Sequence, residues 1–248
     1  MSKGREVKLH RIRAATTFQT RDRTIFAGEL GGFVEKEDNL SQDMSSRCWI
    51  SDNACVYDYA YIRQDASIAG DVVIHDHATV TGAAQIGGHA EIYNYANVKD
   101  SAIIRGNAKV GGYAYVGDRA LIDGDAYVWG GKGALATKLV GMTTLIGCAS
   151  IQSNNDYIVI GPFGHLEYYL TFYVGVKPGL RPNGDRNIYY AKDTPSRLHY
   201  NFVEYPFQDA FSTLDQTGSL EGLIDVHSNI LRRVLQLAEE KLNWIATT

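Results

Sequence analysis

The chain has 248 residues, a formal net charge of −4 and an apolar content of 45%, which fits a globular protein of one long domain or two smaller ones. No apolar stretch is long enough to span a bilayer, and residues 1–23 lack the apolar core of a secretory signal. The three cysteines, Cys48, Cys55 and Cys148, are an odd number. We therefore expect no disulfide framework and a reducing, cytoplasmic location.

Residues 1–29 are predicted to form an N-terminal cap. Val7, Leu9, Ile12 and Ala14 form the pattern of an edge strand, and repeat proteins need such a cap because an open end would expose their apolar interior. Basic residues outnumber acidic ones in this segment, whereas the repeat that follows is acidic. Nucleic acid is therefore not expected on the repeat, and the basic termini are the candidate place for it.

From Ala54 to Ala126 the sequence repeats every six residues. A small residue is followed two positions later by isoleucine or valine, and four positions later by glycine, asparagine or aspartate, with Gln64 as the exception. Side chains two apart on an extended chain point to the same side, and the third residue type tolerates the positive φ of a tight corner. The pattern predicts short strands wound into coils, as in a parallel β-helix.

The repeat resembles that of the hexapeptide-repeat superfamily, in which an aliphatic residue is followed four positions later by a small one, as in Val56 to Ala60. The resemblance implies a mainly β fold with a left-handed parallel β-helix, three hexapeptides per coil, over residues 30–152. It also implies a homotrimer. The segments GELGGFVEKEDNLS and YIVIGPFG are similar to parts of uncharacterised phage-borne members. That likeness implies a phage-encoded protein in the host cytoplasm.

Coils of eighteen residues would stack the outward residues in columns, and two neighbouring columns are aromatic. They contain Tyr57, His75, Tyr93 and Trp129 in one column, and Tyr59, His77, Tyr95 and Tyr113 in the other. Three interpretations are open. The rings could stack only to stabilise the coils, form a subunit interface, or serve as a platform for bases or sugars.

After Trp129 the period fails, LVGMTTLIGCASIQ resembles one last imperfect coil, and residues 153–248 are predicted to form a small α+β domain. DYIVIGPFG and YYLTFYVGV predict two strands, and an apolar stripe after Ser219 predicts a closing helix. Basic residues alternate there with tyrosines: Arg181, Arg186, Tyr189, Tyr190, Lys192 and Arg197. This mixture indicates a site for a phosphorylated small molecule, single-stranded nucleic acid or a partner protein; the alternative is a solvated loop face.

Hexapeptide-repeat proteins are best known as acyl-CoA-dependent acyltransferases, whose general base is a histidine near the subunit boundary. The resemblance therefore implies His89 as the candidate base, with Asp71 one coil below as its orienting partner, and acetyl-CoA as the cofactor. His75 and His77 are weaker candidates because they belong to the aromatic columns. No Cys/His spacing suggests zinc.

Two functions follow from these features. The tract from Cys48 to Trp129 has no inserted loop that could shape an acceptor site, and a fold alone does not define a reaction. We therefore expect a non-catalytic binding protein, without cofactor or metal, that acts on a host protein or a nucleotide signal as anti-defence factors do. The alternative is an acyltransferase.

Overall fold

The computed structural model describes residues 5–147, 149–163, 168–176, 186–193, 205–206, 214–217 and 228–243. Most of these residues belong to a parallel β-solenoid of stacked coils. In its regular part each strand pairs in parallel with the strand eighteen residues further along, as Thr79 does with Asn97 and Asn97 with Tyr115. The predicted parallel β-helix with three six-residue units in each coil is therefore confirmed.

Successive strands of the solenoid, numbered along the chain, belong in turn to three sheets. The first sheet contains β1 (His10–Arg13), β4 (Leu30–Val34), β6 (Cys55–Val56), β9 (Val73–Ile74), β12 (Glu91–Ile92), β15 (Lys109–Gly112), β18 (Tyr127–Gly130) and β21 (Ser150–Ile151). The second contains β7 (Tyr61–Ile62), β10 (Thr79–Val80), β13 (Asn97–Val98), β16 (Tyr115–Val116) and β19 (Lys138–Leu139). The third contains β5 (Trp49–Ile50), β8 (Ser67–Ile68), β11 (Gln85–Ile86), β14 (Ile103–Ile104), β17 (Leu121–Ile122) and β20 (Thr144–Leu145).

The interior of the solenoid consists of the alanine and β-branched positions of the repeat. Residues such as Ala66, Ile68 and Ile74 have no exposed area, and they belong to one core cluster that extends from Val34 to Tyr173. The residue before each β-branched one points outward because side chains alternate along a strand. The apolar interior is therefore continuous from the first coil to the last.

The corners between strands are taken by residues with positive φ. Those that are not glycine are Asp52, Asp58, Gln64, Asp76, Asn94, Asp100 and Asp118. Side-chain oxygens at this position accept hydrogen bonds from the corner one coil above: Gln64 Oε1 from the Gly82 N–H at 2.7 Å, and Asp100 Oδ2 from the Asp118 N–H at 3.1 Å. Gln64, the exception in the sequence pattern, therefore makes the same contact as the aspartates.

The regular spacing is interrupted twice. Phe33 pairs with Cys55, four residues further on than a regular coil would place its partner, and Tyr115 pairs with Lys138, five further on. In the first interrupted coil the chain passes through a 3₁₀ turn at Glu37–Asn39 and an extended loop before Trp49. In the second, a 3₁₀ turn at Gly133–Leu135 follows β18.

Both ends of the solenoid are covered. At the N-terminal end β1 pairs antiparallel with β4, as expected for an edge strand, and β2 (Phe18–Gln19) and β3 (Thr24–Ile25) form a hairpin. At the other end, the Thr144 N–H donates a hydrogen bond to Thr171 Oγ1 at 2.9 Å, and Tyr173 is buried in the solenoid core. Strand β23 (Tyr168–Val176) therefore closes the last coil.

Strand β23 belongs to an antiparallel sheet with β22 (Tyr157–Phe163), β24 (Arg186–Asp193) and β25 (Tyr205–Pro206). The two strands predicted at β22 and β23 are confirmed, and they pair antiparallel. A helical turn at 214–217 precedes helix α1 (Ser228–Asn243). The buried side of α1 carries Leu231, Val234, Leu235 and Ala238.

Helix α1 differs from its sequence prediction in one respect. The apolar stripe after Ser219 includes Ile230, but Ile230 is 50% exposed, because the buried face of the helix is centred on Leu231 and Leu235. The predicted cap Ser219 lies outside the described residues. Among the described residues no helix combines the length and the apolar character that a membrane span needs.

Candidate functional site

Eight aromatic side chains form one edge of the solenoid, on the two sides of the corner column that runs from Asp58 through Asp76 and Asn94 to Gly112. We call this surface the aromatic edge. Its members are Tyr57, Tyr59, His75, His77, Tyr93, Tyr95, Tyr113 and Trp129. The corner residues Asp58, Asp76, Asn94 and Gly112 have positive φ and are eighteen residues apart, so the residues on either side of them are eighteen apart as well. Trp129 belongs to the next coil, where it precedes Gly130. The predicted columns therefore lie side by side.

The outer ladder of the aromatic edge is a continuous stack. Ring centroids are 4.8 Å apart from Tyr59 to His77, 4.7 Å from His77 to Tyr95, and 4.8 Å from Tyr95 to Tyr113. Tyr59 and Tyr95 remain 66% and 49% exposed. The stacking therefore fixes the orientation of large rings that are exposed to solvent.

The inner ladder is half-buried and continues across a gap. Tyr57, His75 and Tyr93 stack with centroids 5.1 and 5.7 Å apart. Gly111 occupies the next position, and Trp129 reaches back past it to lie 5.9 Å from the Tyr93 ring. A Cβ at Gly111 would lie 2.5 Å from the Tyr93 ring. Because Gly111 has no side chain, the rings of Tyr93 and Trp129 can contact each other across this position.

A carboxylate oxygen lies beside each ring nitrogen of His75. Nδ1 lies 3.3 Å from Asp76 Oδ2, and Nε2 lies 3.3 Å from Glu91 Oε1. Glu91 also accepts a hydrogen bond from Lys109 Nζ at 2.7 Å. Burial tends to raise the pKa of Glu91, but its hydrogen bonds from Lys109 and His75 outweigh that effect and the pKa is lowered. Glu91 is therefore ionised at neutral pH.

Burial also raises the pKa of Tyr57 and of Tyr93. Both phenols therefore remain neutral at neutral pH, and negative charge on the inner ladder comes from the carboxylates between the rings. The edge thus combines neutral rings with fixed negative charges. Such a surface attracts cations both by charge and through the faces of the rings.

Two cations near the N-terminus lie against this edge. The Arg5 guanidinium pairs with the carboxylates of Glu35 and Asp58. Lys36 Nζ lies 4.4 Å from the centre of the Tyr59 ring. The lower end of the aromatic edge is therefore neutralised by residues of the same chain.

A three-residue cluster within the edge escaped the sequence analysis. One ligand atom from each of Asp58, His75 and Asp76 lies within 4.8 Å of the other two. Asp58 and Asp76 are eighteen residues apart and occupy successive corners, so no short motif connects them. The signal that reveals this cluster is a coil-length spacing between acidic corners with a histidine beside one of them.

His89, the candidate acyltransferase base, lies at a different corner. Its Nδ1 is 3.4 Å from Asp71 Oδ2, as the column alignment predicts, and its side chain is 68% exposed. Asn107, one coil above, donates to Asp125 at 2.8 Å. The structure therefore brings His89 and Asp71 together in an open position on the solenoid surface.

The basic residues predicted as a binding site lie partly on β24. Arg186, Tyr190 and Lys192 pair with Val176, Phe172 and Leu170, and Tyr189 pairs with Tyr173. Arg181 and Arg197 lie outside the described residues.

A polar cleft of about 480 Å³ lies beside the first interrupted coil. It is lined by Ser41, Asp43, Ser45, Ser46, Tyr61, Arg63, Gln64 and Asp65. The cleft exists because the four additional residues of this coil loop outward instead of forming a strand. The sequence analysis did not predict this cleft.

No family model matches the chain, and no curated protein matches it either. The resemblance to hexapeptide-repeat and phage-borne proteins therefore rests on sequence motifs alone.

Proposed function

We propose that this protein is a non-catalytic binding protein that assembles as a homotrimer through the aromatic edge. The observation that carries the proposal is the outer ladder, in which Tyr59, His77, Tyr95 and Tyr113 stack at 4.7 to 4.8 Å while Tyr59 and Tyr95 remain largely exposed. A contiguous exposed apolar strip of this kind is typical of an interface.

The rigidity of the ladder favours tight association. A side chain that is free in solution loses rotamer entropy when an interface immobilises it. The stacked rings of His77 and Tyr95 are already held by their neighbours above and below, so less of that entropy remains to be lost. Tyrosine and tryptophan are also enriched at protein interfaces.

Closed symmetry explains why a single edge is sufficient. A cyclic assembly buries the same surface on every subunit and leaves no copy of that surface exposed. The hexapeptide-repeat resemblance, which rests on the Val56 to Ala60 type of spacing, supports three subunits. In this arrangement the three solenoids stand side by side, and the C-terminal sheets remain free to contact a partner.

Substitution of two exposed rings tests this proposal. We expect the Tyr59→Ser/Tyr95→Ser protein to be a monomer by light scattering at micromolar concentration, while the unmodified protein has the mass of a trimer. The matched control is Tyr61→Ser/Tyr115→Ser, which removes two tyrosines from the face formed by β7 and β16. A monomeric unmodified protein, or equal loss of assembly in both variants, would contradict the proposal.

The partner of the trimer is proposed to be a host protein or a phosphorylated small molecule, bound at the C-terminal sheet. Support comes from the basic residues of β24, Arg186 and Lys192. The left-handed coil, the phage origin and the anti-defence role belong to the same proposal. They are supported by the repeat and by the segments GELGGFVEKEDNLS and YIVIGPFG.

One observation favours a second function, that of an acyl-CoA-dependent acyltransferase. His89 Nδ1 is 3.4 Å from Asp71 Oδ2, an arrangement in which a carboxylate orients an imidazole base. If the binding function is correct, acetyl-CoA leaves the melting temperature unchanged and His89→Ala has no effect on function. If acyl transfer is correct, acetyl-CoA raises the melting temperature by mass action. His89→Ala then abolishes turnover without dissociating the trimer.

A further inference from the structure

We propose that Asp58, His75 and Asp76 form a binding site for a divalent transition-metal ion of the zinc class. The ligand atoms of these residues lie within 4.8 Å of one another on the inner side of the aromatic edge. One imidazole nitrogen with two carboxylate oxygens is a donor set that Zn²⁺ accepts, with the remaining position open to water. The inference is independent of the proposed binding function.

The separation of the donor atoms fits one shared ion. Ligands about 2.1 Å from a tetrahedral Zn²⁺ lie about 3.4 Å from each other. His75 Nδ1 and Asp76 Oδ2 are 3.3 Å apart. The Asp58 ligand atom lies within 4.8 Å of the other two, so it has to approach by at most about 1.4 Å, a movement within the reach of a side-chain rotation.

Contacts behind the imidazole prepare His75 as a metal ligand. Nε2 lies 3.3 Å from Glu91 Oε1, and Glu91 is itself held by Lys109 Nζ at 2.7 Å. When Nε2 donates to Glu91, Nδ1, which lies 3.3 Å from Asp76 Oδ2, is the nitrogen left to bind an ion. Metal-binding histidines characteristically donate their second ring nitrogen to a carboxylate in this way.

The orientation of the imidazole ring is also fixed before any ion binds. Tyr57 and Tyr93 stack on its two faces with interplanar angles of 5° and 14°. Asp76 Oδ2 is held in turn by the backbone N–H and the side-chain amide of Asn94, both at 3.0 Å. Two of the three ligands therefore need little reorganisation, which favours binding.

Arg5 is the natural competitor of the ion. Its guanidinium pairs with Asp58 and with Glu35, and Glu35 accepts the Asp58 backbone N–H at 2.7 Å. An ion that recruits Asp58 must displace this cation or share the carboxylate with it. Removing the Arg5 charge is therefore expected to strengthen metal binding.

The experiment is calorimetric titration of Zn²⁺ into tag-free, chelator-treated full-length protein, repeated with Co²⁺ to record the visible spectrum of the bound ion. We expect saturable binding of one ion per chain. His75→Phe keeps the stacked ring but removes both nitrogens, so it should abolish this binding. The matched control is His77→Phe, since His77 is stacked between Tyr59 and Tyr95 in the same manner but does not belong to the cluster.

Three further variants separate the roles within the site. Asp76→Asn should also abolish binding, and it serves in place of His75→Phe if that protein does not fold. Glu91→Gln should weaken affinity about 10- to 100-fold, the usual effect of losing a carboxylate behind a ligating histidine. Arg5→Ala should tighten it. Absence of saturable binding in the unmodified protein, or equal binding after His75→Phe or Asp76→Asn, would overturn the site.

Discussion

Ile104→Asp is expected to lower the free energy of unfolding by about 4 kcal/mol or more, among the largest effects of a single substitution. Ile104 has no exposed area and lies in register between Ile86 and Ile122 in the interior column. A carboxylate there would be an unpaired charge in an apolar interior, which is costly. The neighbouring backbone groups already bond between coils, as Arg105 N–H does to Ile122 and Gly87 N–H does to the carbonyl of residue 104.

The position in the middle of the stack increases this effect. Each coil of a solenoid contacts only its neighbours, so the loss of one central coil separates those on either side. Thermal and chemical denaturation followed by circular dichroism would measure the change. The control is Thr79→Asp, which introduces the same charge at an outward position of β10. Equal losses of stability in the two proteins would contradict the assignment of residue 104 to the interior and of residue 79 to the surface.

Gly88→Ala is expected to lower the free energy of unfolding by about 2 to 3 kcal/mol. Gly88 has a φ of +69°, and an added Cβ would lie 2.7 Å from the carbonyl oxygen of Gly106 in the next coil. The methyl group therefore meets both an unfavourable backbone conformation and a fixed backbone atom. For a chain of this size the melting temperature should fall by about 4 to 12 °C.

The adjacent residue provides a control with the same chemistry. Gly87 does not have positive φ, and the nearest atom to an added Cβ there is Arg105 Cβ at 3.9 Å. Gly87→Ala should therefore leave the melting temperature nearly unchanged. If both alanines were tolerated equally, the close approach of successive corners at Gly88 and Gly106 would be refuted.

The aromatic edge contains contacts that the eighteen-residue spacing predicts and one contact that it does not predict. Coils of eighteen residues predict that Tyr59 stacks on His77, and the structure confirms this contact. The contact between Tyr93 and Trp129, two coils apart, does not follow from that period. It depends on Gly111, whose missing side chain lets the two rings approach each other.

In the candidate sites, too, some contacts were predicted from the sequence and others were not. The alignment of His89 with Asp71 is a consequence of coil length and was predicted. The ion pairs of Arg5 with Glu35 and Asp58 were not, because the path of the N-terminal segment over the first coil has no period. The placement of Glu91 behind His75 likewise depends on how far a long side chain reaches across the sheet.

The sequence by itself determined the solenoid, its coil length, its inward and outward positions and the two aromatic columns. These follow from a short local pattern, because strand alternation and positive-φ corners act over six residues and each coil repeats the last. Only the tertiary structure decided the rest. It placed Arg5 against Glu35 and Asp58, opened the cleft lined by Tyr61 and Arg63, and closed the last coil with β23. Such contacts depend on insertions and side-chain reach, which no period encodes.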